Sequence, residues 1–429
     1  MRILILAEDC NPDWPSLPIV AYKYARSLAE HIEIVVATQI RNKPNIDRDG
    51  LGNAKVVYFD TEHIASPLYK FAKFLRGGTE KGWTLQVAMN YPSYLMFEYL
   101  VWQHFKQKLE SGYFDVVHRI SPMSPTLPSP LAKWSPVPFL VGPLNGNLPW
   151  PQQFNTELKR EREWMSYLRQ AHKLLPYYES TYHNSAGILA AFDHTIADLP
   201  TSAKSKAINF PEVGIDPELF NWQPRQKRSQ KTILFVGRLV PYKLPEVVVR
   251  AVANSPILQQ HQLVIVGEGP ERPRLEHLIQ KHDLADCIKL TGKIPQSEVG
   301  QLMRQAEILA SPSIRELGAG VVIEAMACGM ACVVVDYGGP ATLIAADRGI
   351  KVPLGNLDRL VEDYTRELES LVQDDPRIQR LGKSAHDHAI QHYSWNAKAQ
   401  KTLAIYNYIT DNQQTKPSFW DDYAPVMVE

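Results

Sequence analysis

The sequence predicts an α/β chain built as two open, doubly wound domains in tandem, and three observations point that way. At 429 residues, 45% of them hydrophobic and 21% charged, the chain is longer than one hydrophobic core accommodates. Short aliphatic and β-branched runs recur, each followed by a longer segment of helical period, which is the alternation of parallel sheets wrapped by helices. A polar stretch from Asn221 to Lys231, rich in Gln, Arg, Lys and Ser with little to bury, divides the runs into two series.

In the first series, strands are expected at Ile3 to Ala7, Ile32 to Thr38, Val116 to His118, Phe139 to Val141 and Gly187 to Ala190. Asp47-Arg48-Asp49, between Asn45 and Gly50, has the spacing of a metal-binding acidic pair, but Asp and Gly favour a solvated turn. The aromatic run Tyr91 to Phe105 reads as a helix packed on the first sheet rather than a sugar surface. Lys159 to Leu175 is amphipathic, basic and aromatic. Its Glu residues and short apolar face make it a covering helix, with weak peripheral membrane contact as the other reading. The second series has strands at Thr232 to Val236, Leu263 to Val266, Ile288 to Thr291, Ile308 to Ser311 and Cys332 to Val335. Ligands of such sheets bind at the carboxyl ends of the strands, so the two sheets are expected to face each other across a cleft.

Lys+Arg and Asp+Glu stand at 46 each, which leaves no long-range field to gather nucleic acid or an anionic membrane. The apolar start, Met1 to Ala7, stops at Glu8 and Asp9, too short for a signal peptide or a span, and a cytoplasmic location is expected. Cys10, Cys287, Cys328 and Cys332 lack the spacing of a zinc site and read as reduced, buried small residues.

The motifs that carry chemistry lie in the second series. Val266-Gly267-Glu268-Gly269-Pro270 follows a strand, but Arg272 stands where a dinucleotide fingerprint has its third glycine, so a tight strand-to-helix turn is the better reading. Phe235-Val236-Gly237-Arg238-Leu239-Val240-Pro241-Tyr242-Lys243 ends a buried strand in a glycine and presents two cations on one loop. Such a pair can grip a diphosphate and neutralise the charge on a departing nucleotide. After Ser311-Pro312-Ser313, a helix opens near Gly320 and is stopped by Gly329. The free amides of Leu317 to Gly320 can meet an anion at its start. Glu316 lies in the loop before that helix and Glu324 about one turn inside it. Glu324 is either a buried carboxylate satisfied by protein amides or a group for the paired hydroxyls of a ribose.

Glu316 and Glu324, followed by Ala325-Met326-Ala327-Cys328-Gly329 and Gly338-Gly339-Pro340, resemble the signature of retaining GT-B glycosyltransferases, family four in particular. Gly237-Arg238-Leu239 with Lys243, Asp115-Val116-Val117-His118, Gly142-Pro143-Leu144-Asn145-Gly146 and Tyr393-Ser394-Trp395 are similar to that family's other motifs, in the same order. The resemblance implies two Rossmann-like domains, at 1–205 and 206–395, with a helix at about 396–429 crossing back to the first. It implies transfer of a hexosyl-type sugar from a nucleotide diphosphate sugar to a hydroxyl acceptor, without a metal or other cofactor. Arg238, Lys243, Glu316 and His118 would be catalytic. Gly237, Ile294, Leu317, Gly318, Ala319 and Glu324 would hold the donor, and Ser16, Asn145 and Gly146 would lie on the acceptor side. Three departures stand out: Asn11 to Pro18 lacks the glycines the family has after its first strand, Ile120 stands where many members have a second histidine two residues beyond the first, and Leu244 replaces the glycine after the phosphate-loop lysine. The other functions considered are a nucleotide-sugar-binding protein without transfer and a GT-B epimerase.

Overall fold

A computed structural model describes residues 1–67, 83–161, 171–225, 228–411 and 415–421, with side chains described from Tyr91 onward in the helix Trp83–Glu110. Most of the Lys159 to Leu175 stretch lies outside the described residues. The last helix, expected at about 396–429, is Trp395–Thr410, and residues 415–421 beyond it are not helical, which corrects its length.

All thirteen strands among these residues pair in parallel, in two sheets. The first holds β1 (Arg2–Ala7), β2 (Glu33–Gln39), β3 (Lys55–Phe59), β4 (Val116–Ser121), β5 (Phe139–Leu144), β6 (Gly187–Ala190) and β7 (Ala207–Asn209), in the spatial order 3-2-1-4-5-6-7. The second holds β8 (Thr232–Val236), β9 (Gln262–Val266), β10 (Ile288–Gly292), β11 (Ile308–Ser311), β12 (Ala331–Val335) and β13 (Gly349–Val352), in the order 10-9-8-11-12-13. Counted from its own first strand, the second sheet repeats the order 3-2-1-4-5-6, whose reversal falls between β8 and β11, the point at which sheets of this kind bind ligands beyond the carboxyl ends of their strands. Every expected strand is present, and β3, β7 and β13 are additional. All three are edge strands: β3 and β13 have runs that mix exposed and buried residues and so carry a weaker apolar signal, and β7 is only three residues long.

The chain divides into two units. Unit 1 comprises Met1–Asn147, Arg162–Gly214 and Trp395–Glu429, and unit 2 comprises Leu148–Glu161 and Ile215–Ser394. In unit 1, Tyr94, Phe97, Val101 and Phe105 of the helix Trp83–Glu110 pack with Leu4, Leu6, Val117 and Val141 of the sheet, as their aromatic character implied. On its other side the helices Leu17–Ala29 and Trp395–Thr410 pack together, with the Tyr24 and Thr402 hydroxyls hydrogen-bonded. In unit 2, Ile233, Phe235, Ile265, Ile308 and Val333 of the strands join Val247, Leu360, Tyr364 and Leu368 of the covering helices in one core.

The stretch Leu148–Glu161 was expected in a continuous first domain, and the structure corrects that boundary. Phe154 is 1% exposed and sits in the core of unit 2, while Arg160 pairs with the buried Glu271. Burying an aromatic ring and satisfying a buried carboxylate fix this strap to unit 2. Asp47 and Asp49 lie in the helix Lys43–Asp49 rather than in a turn, and each is paired with a cation, Lys43 and Arg48. All four cysteines are free and buried.

Candidate active site

The Arg238 loop of unit 2 leaves β8 at Gly237, at the strand-order reversal. It is held by a backbone ladder: Gly237 N donates to Val266 O, Leu239 N to Glu268 O and Glu271 N to Leu239 O, each at 2.9 Å. Gly267 and Gly269 make that approach possible. A Cβ on Gly267 would lie 1.9 Å from Gly237 O, and one on Gly269 2.4 Å from Leu239 O. Both have φ near +150°, a region open chiefly to glycine. The glycine pair is therefore used in fixing the neighbouring loop, in keeping with the tight-turn reading.

On this loop Arg238 is exposed and donates from Nη2 to the Tyr242 hydroxyl at 2.8 Å. Lys243 is buried, and its Nζ meets Glu316 Oε2 at 2.5 Å. Burial opposes the ammonium charge, but Glu316 and Tyr242 outweigh it and raise the Lys243 pKa above its ordinary value. The lysine is thus a fixed cation. Leu244, in the glycine's place, keeps the left-handed backbone (φ 45°, ψ 48°) and puts its side chain in the core. The substitution preserves the turn that aims Lys243.

Glu316 arrives from the loop after β11, the strand beside β8. That loop runs into the helix Gly320–Ala327, whose cap residue, Ala319, is fully buried and also left-handed (φ 46°, ψ 36°). Glu324 is half-buried and accepts from Gln296 Nε2 at 3.2 Å, so it is at least partly satisfied by a protein amide. Leu317, Gly318 and Gly237 are half-buried, as is Ile294, just beyond β10. Unit 2 thus brings Gly237, Arg238, Lys243, Glu316 and the start of the Gly320 helix together at the carboxyl ends of β8 and β11.

The residues named from the first series lie in unit 1. His118 does not present a free ring to a ligand. It is 0% exposed, Nε2–H donates to Gly142 O at 2.7 Å, and Nδ1 accepts from the Tyr406 hydroxyl at 2.6 Å. Burial pushes its pKa down to about 3, against the Gly142 hydrogen bond. A strand position inside a doubly covered sheet buries the imidazole, so the expectation of a sugar-facing histidine is corrected. Ser16 is exposed at the start of the helix Leu17–Ala29, with φ 73° and ψ −133° and no side-chain capping bond. A glycine would adopt that backbone freely. Asn145 Nδ2 donates to Glu212, and its Oδ1 is buried without an acceptor's partner among the described residues. Gly146 has φ 158° and lies so close to Pro125 that a Cβ would be 2.9 Å from its Cδ.

At the end of β1, Glu8 is 6% exposed, and Arg41 lies between it, Asp9 and Glu62, at 3.6, 2.8 and 3.2 Å. Burial, with Asp9, pushes the Glu8 pKa up to about 8 against the pull of Arg41 and Gln39. Sequence reading passed over this cluster, and also Trp150, Tyr242 and Arg315 in unit 2. The guanidinium of Arg315 lies 5.1 Å from the centre of the Trp150 ring, which meets Tyr242 edge-on at 6.5 Å. Arg315 could have been noticed as Glu316's neighbour, whereas Trp150 carried no signal in a proline-flanked stretch.

Residues 218–388, which span β8 to most of the last unit 2 helix, match the sequence profile of the family described as glycosyl transferases group 1. This part of the chain is a group 1 glycosyl transferase domain. The domain holds Arg238, Lys243, Glu316 and Glu324. Among curated relatives, a D-inositol 3-phosphate glycosyltransferase of Stackebrandtia nassauensis is 30% identical over 224 residues, 48% of this chain and 49% of that protein. The chain thus spans about half the length of the curated relatives it matches. The crystal structure of Anabaena HepE in complex with UDP superposes with a TM-score of 0.64 at 15% identity, over 94% of this chain and 99% of that one. Sucrose-phosphate synthase of Thermosynechococcus elongatus gives 0.62 at 19%, over 95% and 98%. These likenesses are of fold, and the fold is GT-B. Among the described residues, no helix is long and apolar enough to cross a membrane.

Proposed function

We propose that the chain is a retaining glycosyltransferase that moves a hexosyl-type sugar from a nucleoside diphosphate sugar to a hydroxyl of a glycan, lipid-linked or small-molecule acceptor. The observation that carries this reading is the Lys243–Glu316 ion pair beside Arg238, set where the strand order reverses inside a group 1 domain. As the sugar–phosphate bond breaks, negative charge grows on the departing diphosphate. Arg238 and Lys243 neutralise it in place of a metal, and the amides at the start of the Gly320 helix donate to its remaining oxygens. A departing phosphate oxygen takes the acceptor's proton on the same face, which retains the configuration at the sugar carbon. Glu316 orients the transferred sugar while holding Lys243, and Glu324 binds the ribose hydroxyls, exchanging its Gln296 contact for them. UDP is the nucleotide to try first, because the Anabaena neighbour was crystallised with it.

The test is a panel of UDP-, GDP- and ADP-sugars, scored by thermal shift and by nucleotide release, on the wild type, Arg238→Ala and Lys243→Ala. A ligand that binds only the folded chain raises its melting temperature with concentration. One nucleotide class is expected to stabilise the wild type and neither variant. Stabilisation with no sugar transfer and no slow donor hydrolysis would favour a binding protein instead. No binding by any member of the panel would refute the assignment of unit 2.

A further inference from the structure

Two polar groups in unit 2 remain unused by the proposed diphosphate site. Trp150 Nε1 and Arg315 Nε are buried atoms with no hydrogen-bond acceptor among the described residues. Leaving a buried donor unmet costs about 1–3 kcal/mol, and such a cost needs an explanation. The two donors belong to one arrangement, because the Arg315 guanidinium lies on the Trp150 ring. That ring meets Tyr242 edge-on, and the Tyr242 hydroxyl accepts from Arg238. Arg315 also directly precedes Glu316, the partner of Lys243. A run of contacts therefore joins the orphan donors to both cations of the diphosphate site.

The charges point in the same direction. This group holds three cations, Arg238, Lys243 and Arg315, and one carboxylate, Glu316, which is committed to Lys243. Arg315 has no carboxylate partner among the described residues. A planar guanidinium steadied by an aromatic face, with its donors open, is suited to oxygens of a phosphate. The support beneath it is rigid. Trp150 packs on the unit 2 core, and the strap that carries it is fastened by Phe154 and by Arg160 on Glu271.

We propose that Arg315 and Trp150 form a further anion subsite of unit 2, taking phosphate oxygens beside the Arg238–Lys243 loop. The proposal rests on the nucleotide-sugar reading of that loop. The oxygens belong either to the donor's diphosphate or to a phosphate carried by the acceptor, and the chemistry is shared.

The experiment is calorimetric titration of inorganic pyrophosphate into the whole chain and into Arg315→Gln, Arg315→Lys, Trp150→Phe and Arg238→Gln, each first shown to melt with the wild type. Arg315→Gln is expected to weaken pyrophosphate at least about tenfold, the effect of one charge-assisted contact. Arg315→Lys should recover part of that loss. Trp150→Phe, which keeps the ring but removes its N–H, should give a smaller one. A parallel loss of UDP affinity in Arg315→Gln assigns the oxygens to the donor, and unchanged UDP affinity assigns them to the acceptor. Pyrophosphate binding that falls in Arg238→Gln but not in Arg315→Gln overturns this subsite alone. If pyrophosphate binds none of the proteins, or binds all of them equally, the donor site itself is refuted.

Discussion

At the scale of single residues, the distinctive feature of unit 2 is a buried ammonium whose charge is kept by one carboxylate. Glu316→Gln leaves Lys243 nearly buried without its counter-charge. Breaking a buried pair costs about 3–5 kcal/mol, and the half-buried state of Glu316 places this case at or just below the lower end. Chemical denaturation of that variant checks the figure. The Lys243→Met, Glu316→Gln double variant is expected to recover part of the loss, because neither charge then remains stranded. Glu8 makes the opposite kind of statement. Its folded value of about 8 exceeds the ordinary 4.5, so the native chain keeps a proton that the unfolded chain has released over that range. The stability it confers is complete below the ordinary carboxylate range and is lost as pH rises toward 8. Glu8→Gln should therefore flatten the fall of melting temperature between pH 5 and pH 8, and an unchanged profile in that variant would refute the buried-proton account.

At the scale of elements, backbone conformation decides more than residue identity. Ser16 holds a glycine-type backbone at an exposed position with nothing gained from its side chain, so Ser16→Gly is expected to stabilise by about 1 kcal/mol, with Ser16→Ala near neutral by denaturation. Gly267→Ala should cost more than about 4 kcal/mol, since its methyl would meet the Gly237 carbonyl. Reduced cooperativity of unfolding in that variant would show the Arg238 loop coming loose. These cases explain what was legible in the sequence. The strands at the centre of both sheets could be read because they are buried on both faces and their apolar runs are unbroken. The edge strands β3, β7 and β13 could not, because β3 and β13 are only partly buried and β7 is three residues long. Arg238, Lys243 and Glu316 were legible as candidates because cations and carboxylates at fixed spacing after a strand are chemically conspicuous, and the structure places Lys243 on Glu316. His118 misled because sequence does not say which side of a covered sheet a histidine faces. The glycine-free loop and Leu244 looked like departures, whereas the structure keeps the glycine backbone at Ser16 and at Leu244 with other side chains.

At the scale of the whole molecule, each unit is assembled from separate stretches of chain. A fragment of Ile215–Ser394 alone lacks Phe154 in its core and leaves Glu271 without Arg160. It is expected to melt lower than the same fragment supplied with a peptide of residues 148–161, and thermal melts with and without the peptide measure the difference. Identical melts would show that the strap adds nothing to unit 2. Unit 1 depends in the same way on the helix Trp395–Thr410, whose Tyr406 hydroxyl meets His118 and whose Thr402 meets Tyr24. The order of synthesis makes this dependence a matter of timing. A ribosome releases the first sheet early, but the helix that covers Tyr24 and His118 leaves it only after all of Ile215–Ser394, a delay of roughly ten to forty seconds at ordinary translation rates. The half of the molecule made first is therefore finished last, and while it waits its uncovered aromatic face is what a nascent-chain chaperone would hold.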